Sequence, residues 1–262
     1  MKILFICDPI KNLNYSKDST IFLIEEAWRK NYEVMVCAIN DLSIVASSKG
    51  PVVFAKTNFI SKPKKNDAEL WFELNFTETV NLKEFNIIFI RKDPPFDDKY
   101  STASLVLQIA ENNGIKIFNS PSALLSHNEK LSTVFFHKYI PMTIVSEEKK
   151  ELTEFTKSFK KVVFKPLNEM GGSGIFVVDT LDPNIPSIIE TLTEKGSCKI
   201  MVQKFLPEIA NGDKRVLVIN GEIINCCLVR TPKRGSYIGN LAAGGQPSIE
   251  PLSSLDRQIA EE

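Results

Sequence analysis

The stretch KPLNEMGGSGIFVV, Lys165–Val178, decides the reading of this chain. An apolar run, KKVVFK, ends on a lysine, three glycines crowd a serine, and a second apolar run, GIFVV, follows with no helical segment between. Walker-type phosphate loops need G-x-x-x-x-G-K-[ST] running into a helix, and the dinucleotide fingerprint needs G-x-G-x-x-G opening one. Neither pattern is present. Two strands joined by a glycine-rich connection fit instead, and the backbone amides of Gly171, Gly172, Ser173 and Gly174 can then lie over a phosphate as a flap. Taken alone, the stretch also reads as a plain hairpin loop.

Around it the second half of the chain alternates short apolar runs with helical stretches. TIVSEE, a helix near 151–159, the paired strands and PSIIETLTEKG are followed by KIMVQKFL, KRVLVIN and EIINCCLVR. Asn220-Gly221 between the last two is the strongest short hairpin signal and predicts an antiparallel pair. The first half reads differently. KILFIC is a strand ending at Asp8-Pro9, DSTIFLIEEAWRKN is a helix capped by Asp18 or Ser19, and EVMVCAI is a second strand, together a β-α-β unit. A polar, strand-like excursion (51–80) precedes the strand FNIIFI, the helix STASLVLQIAENNG and the strand IKIFN. The fold class expected is α/β, with a doubly wound parallel-sheet domain (1–121) and a second domain (122–262) built on antiparallel sheet. Such parallel sheets place ligands at the carboxyl ends of their strands, where Asp8 and Arg91 fall.

Composition narrows the partners. Lys+Arg and Asp+Glu both number 32, for zero net charge over 262 residues, so neither a nucleic-acid footprint nor attraction to a membrane surface is expected. No apolar run approaches a spanning helix, and the amino terminus lacks a signal-peptide pattern, which predicts a cytoplasmic protein. The five cysteines lack C-x-x-C spacing, and four lie in apolar runs, so buried reduced thiols are expected. His127 and His137 have no spacing for a metal pair or a triad. Arginine occurs at 29, 91, 215, 230, 234 and 257 only; Arg91, Arg215 and Arg230 follow or interrupt strand-like runs, where a planar guanidinium suits carboxylate or phosphate.

Lys130, Lys165, the loop 171–174, Arg215 on a strand and Arg230 on its hairpin partner form the order expected of a nucleotide clamp. With them the motifs RKDPPFD, NEKL, KPLNEMGGSGIF, GDKRVLVINGE and GNLAAGG, in that order from Asp8 to Gly245, resemble the bacterial glutathione synthetases of the ATP-grasp superfamily. The resemblance implies an ATP-dependent ligase joining γ-glutamylcysteine to glycine through an acyl phosphate. It implies that Lys130 and Lys165 hold ATP phosphates, that Gly171, Gly172, Ser173 and Gly174 close over them, and that Gln203, Lys204, Phe205 and Leu206 form an adenine hinge read through the backbone. Asp213 falls to the ribose, Arg215 and Arg230 to the acyl phosphate and transition state, and Asp8, Arg91 and Asn240 to the substrates. Asp18 and Ser19 match the peptide side too, but serve equally as a helix cap.

The loop Thr231–Gln246 is similar to the family's mobile loop, with Ile238 and Gln246 standing where basic residues are usual. Family members continue beyond the point matching Glu262 with a strand and residues that bind two magnesium ions. Magnesium is therefore implied without ligands in this sequence, and residues 1–262 read as a carboxyl-terminally truncated member expected to turn over little. A homo-oligomer, tetrameric in the family, is implied as well. A second reading, from a different class, is a non-catalytic ATP- or peptide-binding module derived by such truncation. A D-alanine ligase is a third, opposed by RKDPPFD and NLAAGG.

Overall fold

Every residue of KILFIC beyond its lysine is buried, because β1 (Lys2–Cys7) runs through the middle of a sheet covered on both faces. The computed structural model describes residues 1–63 and 71–262, which fall into two units, Met1–Asn128 and Glu129–Glu262. In the first, β1 is followed by α1 (Ser19–Arg29) and β2 (Glu33–Cys37), and β1 pairs in parallel with β2, forming the β-α-β unit read from the sequence. Alternation then divides the core. Ile3 and Phe5 pack with Ile24 and Ala27 of α1, while Leu4 and Ile6 point the other way.

Next come β3 (Leu42–Ser47), β4 (Gly50–Ser61), β5 (Glu73–Asn81), β6 (Ile87–Arg91), α2 (Asp98–Asn112), β7 (Ile117–Phe118) and α3 (Pro121–Ser126). Leu4 and Ile6 meet Tyr100 and Leu107 of α2 in the second cluster. The strands β2-β1-β6-β7 are mutually parallel, as a doubly wound sheet requires. The strand-like excursion adds antiparallel strands at one edge of this parallel core, so the sheet as a whole is mixed. β4 is antiparallel to β2, β3 and β5, because the tight β3–β4 turn, which pairs Ser47 with Gly50, sends the chain straight back rather than through a crossover helix. Of the strand-like segment 51–80, residues 64–70 lie outside the described residues. α3 belongs with the first unit: its Ser122 hydroxyl donates to Glu111 Oε2 on α2 at 2.6 Å.

The second unit contains β8 (Thr143–Ser146), α4 (Lys149–Lys157), β9 (Lys161–Pro166), β10 (Phe176–Asp179), α5 (Ile185–Leu192) and β11 (Ile200–Lys204). These strands make an antiparallel sheet in the order β10-β9-β11-β8. One face is core: Val162, Phe164, Val178, Ile200 and Val202 pack against Leu152 of α4 and against Ile185 and Ile189 of α5. A second sheet joins β12 (Asp213–Ile219), β13 (Glu222–Thr231) and β14 (Gln246–Pro251). Asn220 and Gly221 turn β12 into β13 with φ of 52° and 82°, the left-handed pair that a two-residue hairpin demands. β14, absent from the sequence reading, is exposed along its length and offers no alternation to detect. Cys226 is also exposed, contrary to the expectation of buried thiols, because the pleat turns it away from buried Cys227.

The final helix, α6 (Ser254–Glu261), starts with a capping box. Ser253 Oγ accepts from the Asp256 amide, and Asp256 Oδ2 accepts from the Ser253 amide at 2.9 Å and from Lys214 Nζ at 2.7 Å. These partners, Lys214 foremost and then Ser253, hold the Asp256 carboxyl down at about 2. A carboxylate depressed on folding stabilises above its unfolded pKa and ceases to do so as pH falls through the folded value. Asp256→Ala should cost about 1 kcal/mol at neutral pH. Denaturant midpoints measured in parallel with wild type should differ at pH 7 and converge as the pH is lowered from about 4 toward 2. A difference that persists there would exclude the charged cap as its source.

Candidate functional site

The face of the β10-β9-β11-β8 sheet opposite the core is half of a cleft of about 520 Å3 within the second unit. Val163 and Lys165 of β9, Val177 of β10, and Met201 and Gln203 of β11 line it, the residues alternate to those that pack on α4 and α5. Lys130 closes one side, its Nζ donating to the Glu169 and Leu167 carbonyls at the start of the glycine turn. Lys165 Nζ donates to Gln203 Oε1 at 2.6 Å. Both lysines are partly buried and both have lowered pKa values, Lys130 through burial and Lys165 through burial and then the charge of Lys130. Two cations are thus held close in a poorly solvated place, an arrangement that a polyanion would relieve.

Gly171, Gly172 and Ser173 line the cleft, and the turn is closed by the Ser173 amide donating to the Met170 carbonyl at 3.0 Å. Gly174 is not part of the lining. It sits at φ +64°, and a Cβ there would lie 2.6 Å from Pro166 Cγ, so only glycine lets the turn fold back on β9. A Cβ on Gly172 would meet Ile238 at 2.9 Å, so the loop after β13 rests on the glycine turn through an apolar side chain.

Gln203, Lys204, Phe205 and Leu206 all line the cleft, as do Asp213, Arg230 and Asn240. Two hinge amides are already engaged, that of Lys204 by the Met142 carbonyl and that of Phe205 by the Lys161 carbonyl. Arg230 faces Asp213 directly across β12 and β13, and its guanidinium forks onto both carboxylate oxygens at 2.7 and 2.8 Å. Arg215 is exposed on β12 and does not line the cleft. The sequence reading also missed Tyr237. Its ring meets Phe205 edge-on at 5.0 Å, and Lys161 Nζ lies over both rings, at 5.1 and 5.5 Å. No local pattern marks a lone tyrosine in a glycine-rich loop; the contact arises only when the loop returns to the hinge.

In the first unit, Asp8 follows β1 and Arg91 ends β6, and the register sets Cys7 beside Arg91 on adjacent parallel strands. Arg91 donates to Ser19 Oγ at 2.7 Å and to Thr20 Oγ1 at 3.2 Å. Asp18 is the α1 cap, accepting from the Thr20 amide at 2.8 Å. Asp8 takes the Asp93 amide at 2.9 Å and pairs with Lys92 at 3.0 Å. Burial, then the charges of Asp8 and Asp18, raise the Asp93 carboxyl, and the same influences push buried Cys7 up to about 12. Among the described residues no three His, Cys, Asp or Glu side chains come together to hold a metal ion.

A family model described as the prokaryotic glutathione synthetase N-terminal domain matches residues 1–124, and one described as the prokaryotic glutathione synthetase ATP-grasp domain matches 129–262. The glutathione synthetase of Vibrio cholerae is 40% identical over 260 residues, covering 99% of this chain and 80% of its own length. That of Escherichia coli is 39% identical over 262 residues, covering 100% and 81%. Among solved structures, D-cycloserine synthetase superposes with a TM-score of 0.62 at 10% identity, over 100% of this chain and 78% of its own. An ATP-grasp ligase complexed with its minimal precursor gives 0.56 at 14%, over 99% and 79%. At such identities these two structures bear on the fold alone.

The glycine turn yields a paired test. Alanine at position 171 or 174 takes on a positive-φ strain of roughly 1–2 kcal/mol, but the new methyl meets nothing at 171 and meets Pro166 at 174. Gly174→Ala should therefore lower the denaturation midpoint more than Gly171→Ala. Equal losses would show that the turn does not fold tightly onto β9.

Proposed function

Because this chain belongs to the prokaryotic glutathione synthetase family, we propose that it is an ATP-dependent carboxylate-amine ligase joining γ-glutamylcysteine to glycine to give glutathione, ADP and phosphate. The observation that carries the reading at the level of chemistry is the cleft of the second unit. Its lining combines two partly buried lysines and a glycine turn with the segment Gln203–Leu206 and the paired rings of Phe205 and Tyr237. That matches a ligand with a polyanionic tail and a flat base.

The carboxylate of the peptide attacks the γ-phosphorus of ATP, the bond to the β-phosphate oxygen breaks, and ADP leaves. The glycine amine, in its neutral form, then adds to the acyl carbon; phosphate departs and the amine proton is lost. The first step develops negative charge on phosphoryl oxygens and the second on the acyl oxygen and then the departing phosphate, so the protein contributes chiefly positioned cations and donors. Lys130 and Lys165 are assigned to the ATP phosphates, with Gly171, Gly172 and Ser173 presenting the turn. Gly174 is assigned to shaping that turn. Gln203 to Leu206 are assigned to the base and Asp213 to the ribose side. Arg230 is assigned to the transferring phosphoryl group; the same role expected of Arg215 is not supported by its exposed place on β12 outside the cleft. Asn240 is assigned to substrate at the loop, and Asp8 and Arg91 to the peptide in the first unit.

Magnesium, implied by the family, finds no fitting ligand set among the described residues, so no residue is assigned to it. A cytoplasmic location and a tetrameric assembly belong to the same proposal; the unpaired thiols of Cys7 and Cys37 suit a reducing compartment. Nothing favours the non-catalytic module over the ligase.

Phosphate release on adding γ-glutamylcysteine and glycine with magnesium-ATP tests the activity, and calorimetry tests the parts. Lys165→Ala should weaken ATP binding roughly 10- to 100-fold, the loss expected for a hydrogen bond between charged groups. Arg91→Ala should weaken γ-glutamylcysteine and leave ATP affinity near wild type. ATP affinity unchanged by Lys165→Ala, or equal loss of both ligands in Arg91→Ala, would refute these assignments.

A further inference from the structure

Three polar side chains share the cleft face of the sheet in one diagonal. Thr143 and Gln203 are direct partners across β8 and β11, and Lys165 lies one pleat repeat along β9 on the same face. Thr143 has a single hydroxyl proton, which it donates to the Pro141 carbonyl at 2.7 Å. Toward Gln203 it can therefore only accept, and it does so from Nε2 at 2.9 Å. The amide is thereby turned so that Oε1 accepts from Lys165 Nζ at 2.6 Å. Gln203 is only 7% exposed, so its amide relies chiefly on these two protein partners.

We propose that Gln203, oriented by Thr143 and the Pro141 carbonyl, is a positioning residue that aims the Lys165 ammonium at the nucleotide phosphates and keeps it protonated. This deepens the nucleotide reading of the cleft and rests on it. Burial and the neighbouring Lys130 both disfavour the charged form of Lys165. The other ionisable groups lining the cleft are Glu129, Glu169, Lys204, Tyr237 and the Asp213–Arg230 pair. None of them is the partner of Lys165; a neutral oxygen is. That distinction matters, because a carboxylate at 203 would hold the ammonium more strongly but cancel its charge and repel the incoming phosphate, whereas an amide oxygen stabilises the cation without neutralising it.

The test is the pH dependence of magnesium-ATP affinity, measured by calorimetry on the full chain. As pH rises Lys165 loses its proton and affinity falls; removing the acceptor makes that fall come earlier. In Gln203→Met the alkaline fall should shift down by about one pH unit, the size expected from losing one charge-assisted hydrogen bond. Thr143→Val, which frees the amide to rotate, should shift it in the same direction by less. Gln203→Glu should shift it upward while weakening binding near neutrality. An unmoved alkaline fall in Gln203→Met overturns the proposal, even if its affinity is lower throughout. If Gln203→Met does not fold, an unmoved fall in Thr143→Val is equally decisive. Failure of the wild type to bind ATP would instead overturn the nucleotide reading itself.

Discussion

Phe164 and Lys165 are consecutive residues of one strand, and the pleat forbids them to face the same way. Phe164 is fully buried between the sheet and the helices α4 and α5, as are Val162, Ile200 and Val202. Each such side chain contributes roughly 1.5–3 kcal/mol when fully buried, far more than any choice among polar partners could offset. The core therefore sets the register, and the register leaves Val163, Lys165, Met201 and Gln203 to the cleft. A slip of one residue would put the lysine among the helices and the phenylalanine in the cleft. The site is the reverse side of the core.

Within the cleft, cations are held in different ways, and the difference has consequences. Arg230 is forked onto Asp213, so its charge is offset before any ligand enters. Lys165 is held by a neutral amide oxygen and keeps its charge available, while Lys130 leans on the carbonyls of Leu167 and Glu169 that introduce the glycine turn. Arg230 contributes fully only where a ligand competes with Asp213, which suits a group needed late in a reaction rather than for initial binding.

The first unit solves a different problem with the same element type. Its central strands are parallel and buried on both faces, so the only places where polar side chains can gather are the strand ends. Asp8, Arg91, Lys92 and Asp93 gather there, with Ser19 and Thr20 from the start of α1 holding the guanidinium. Asp18 does two things at once: it caps the helix and adds negative charge around Asp93 and Cys7.

The sequence by itself determined what depends on neighbours along the chain. Asn220-Gly221 specified the hairpin because both residues tolerate positive φ, Asp18 and Ser253 marked helix starts because a side-chain oxygen can reach the next free amides, and short continuous apolar runs marked β1, β2, β6, β9 and β11. The motif order around Lys130, Lys165 and the glycine turn identified the family and most of the cleft. Tertiary structure alone decided what depends on which strands meet. The strand character of β4 and β5 was legible in segment 51–80 but their antiparallel pairing was not, and the fully exposed β14 carries no alternation that separates it from a loop. The pairing of Arg230 with Asp213 follows from a register set across a hairpin, which also carries Arg215 away from the cleft. Thr143 and Tyr237 join the site only because strands and a loop distant in sequence return to the same face, and such contacts are settled by the packing of the whole unit rather than by any local preference of the chain.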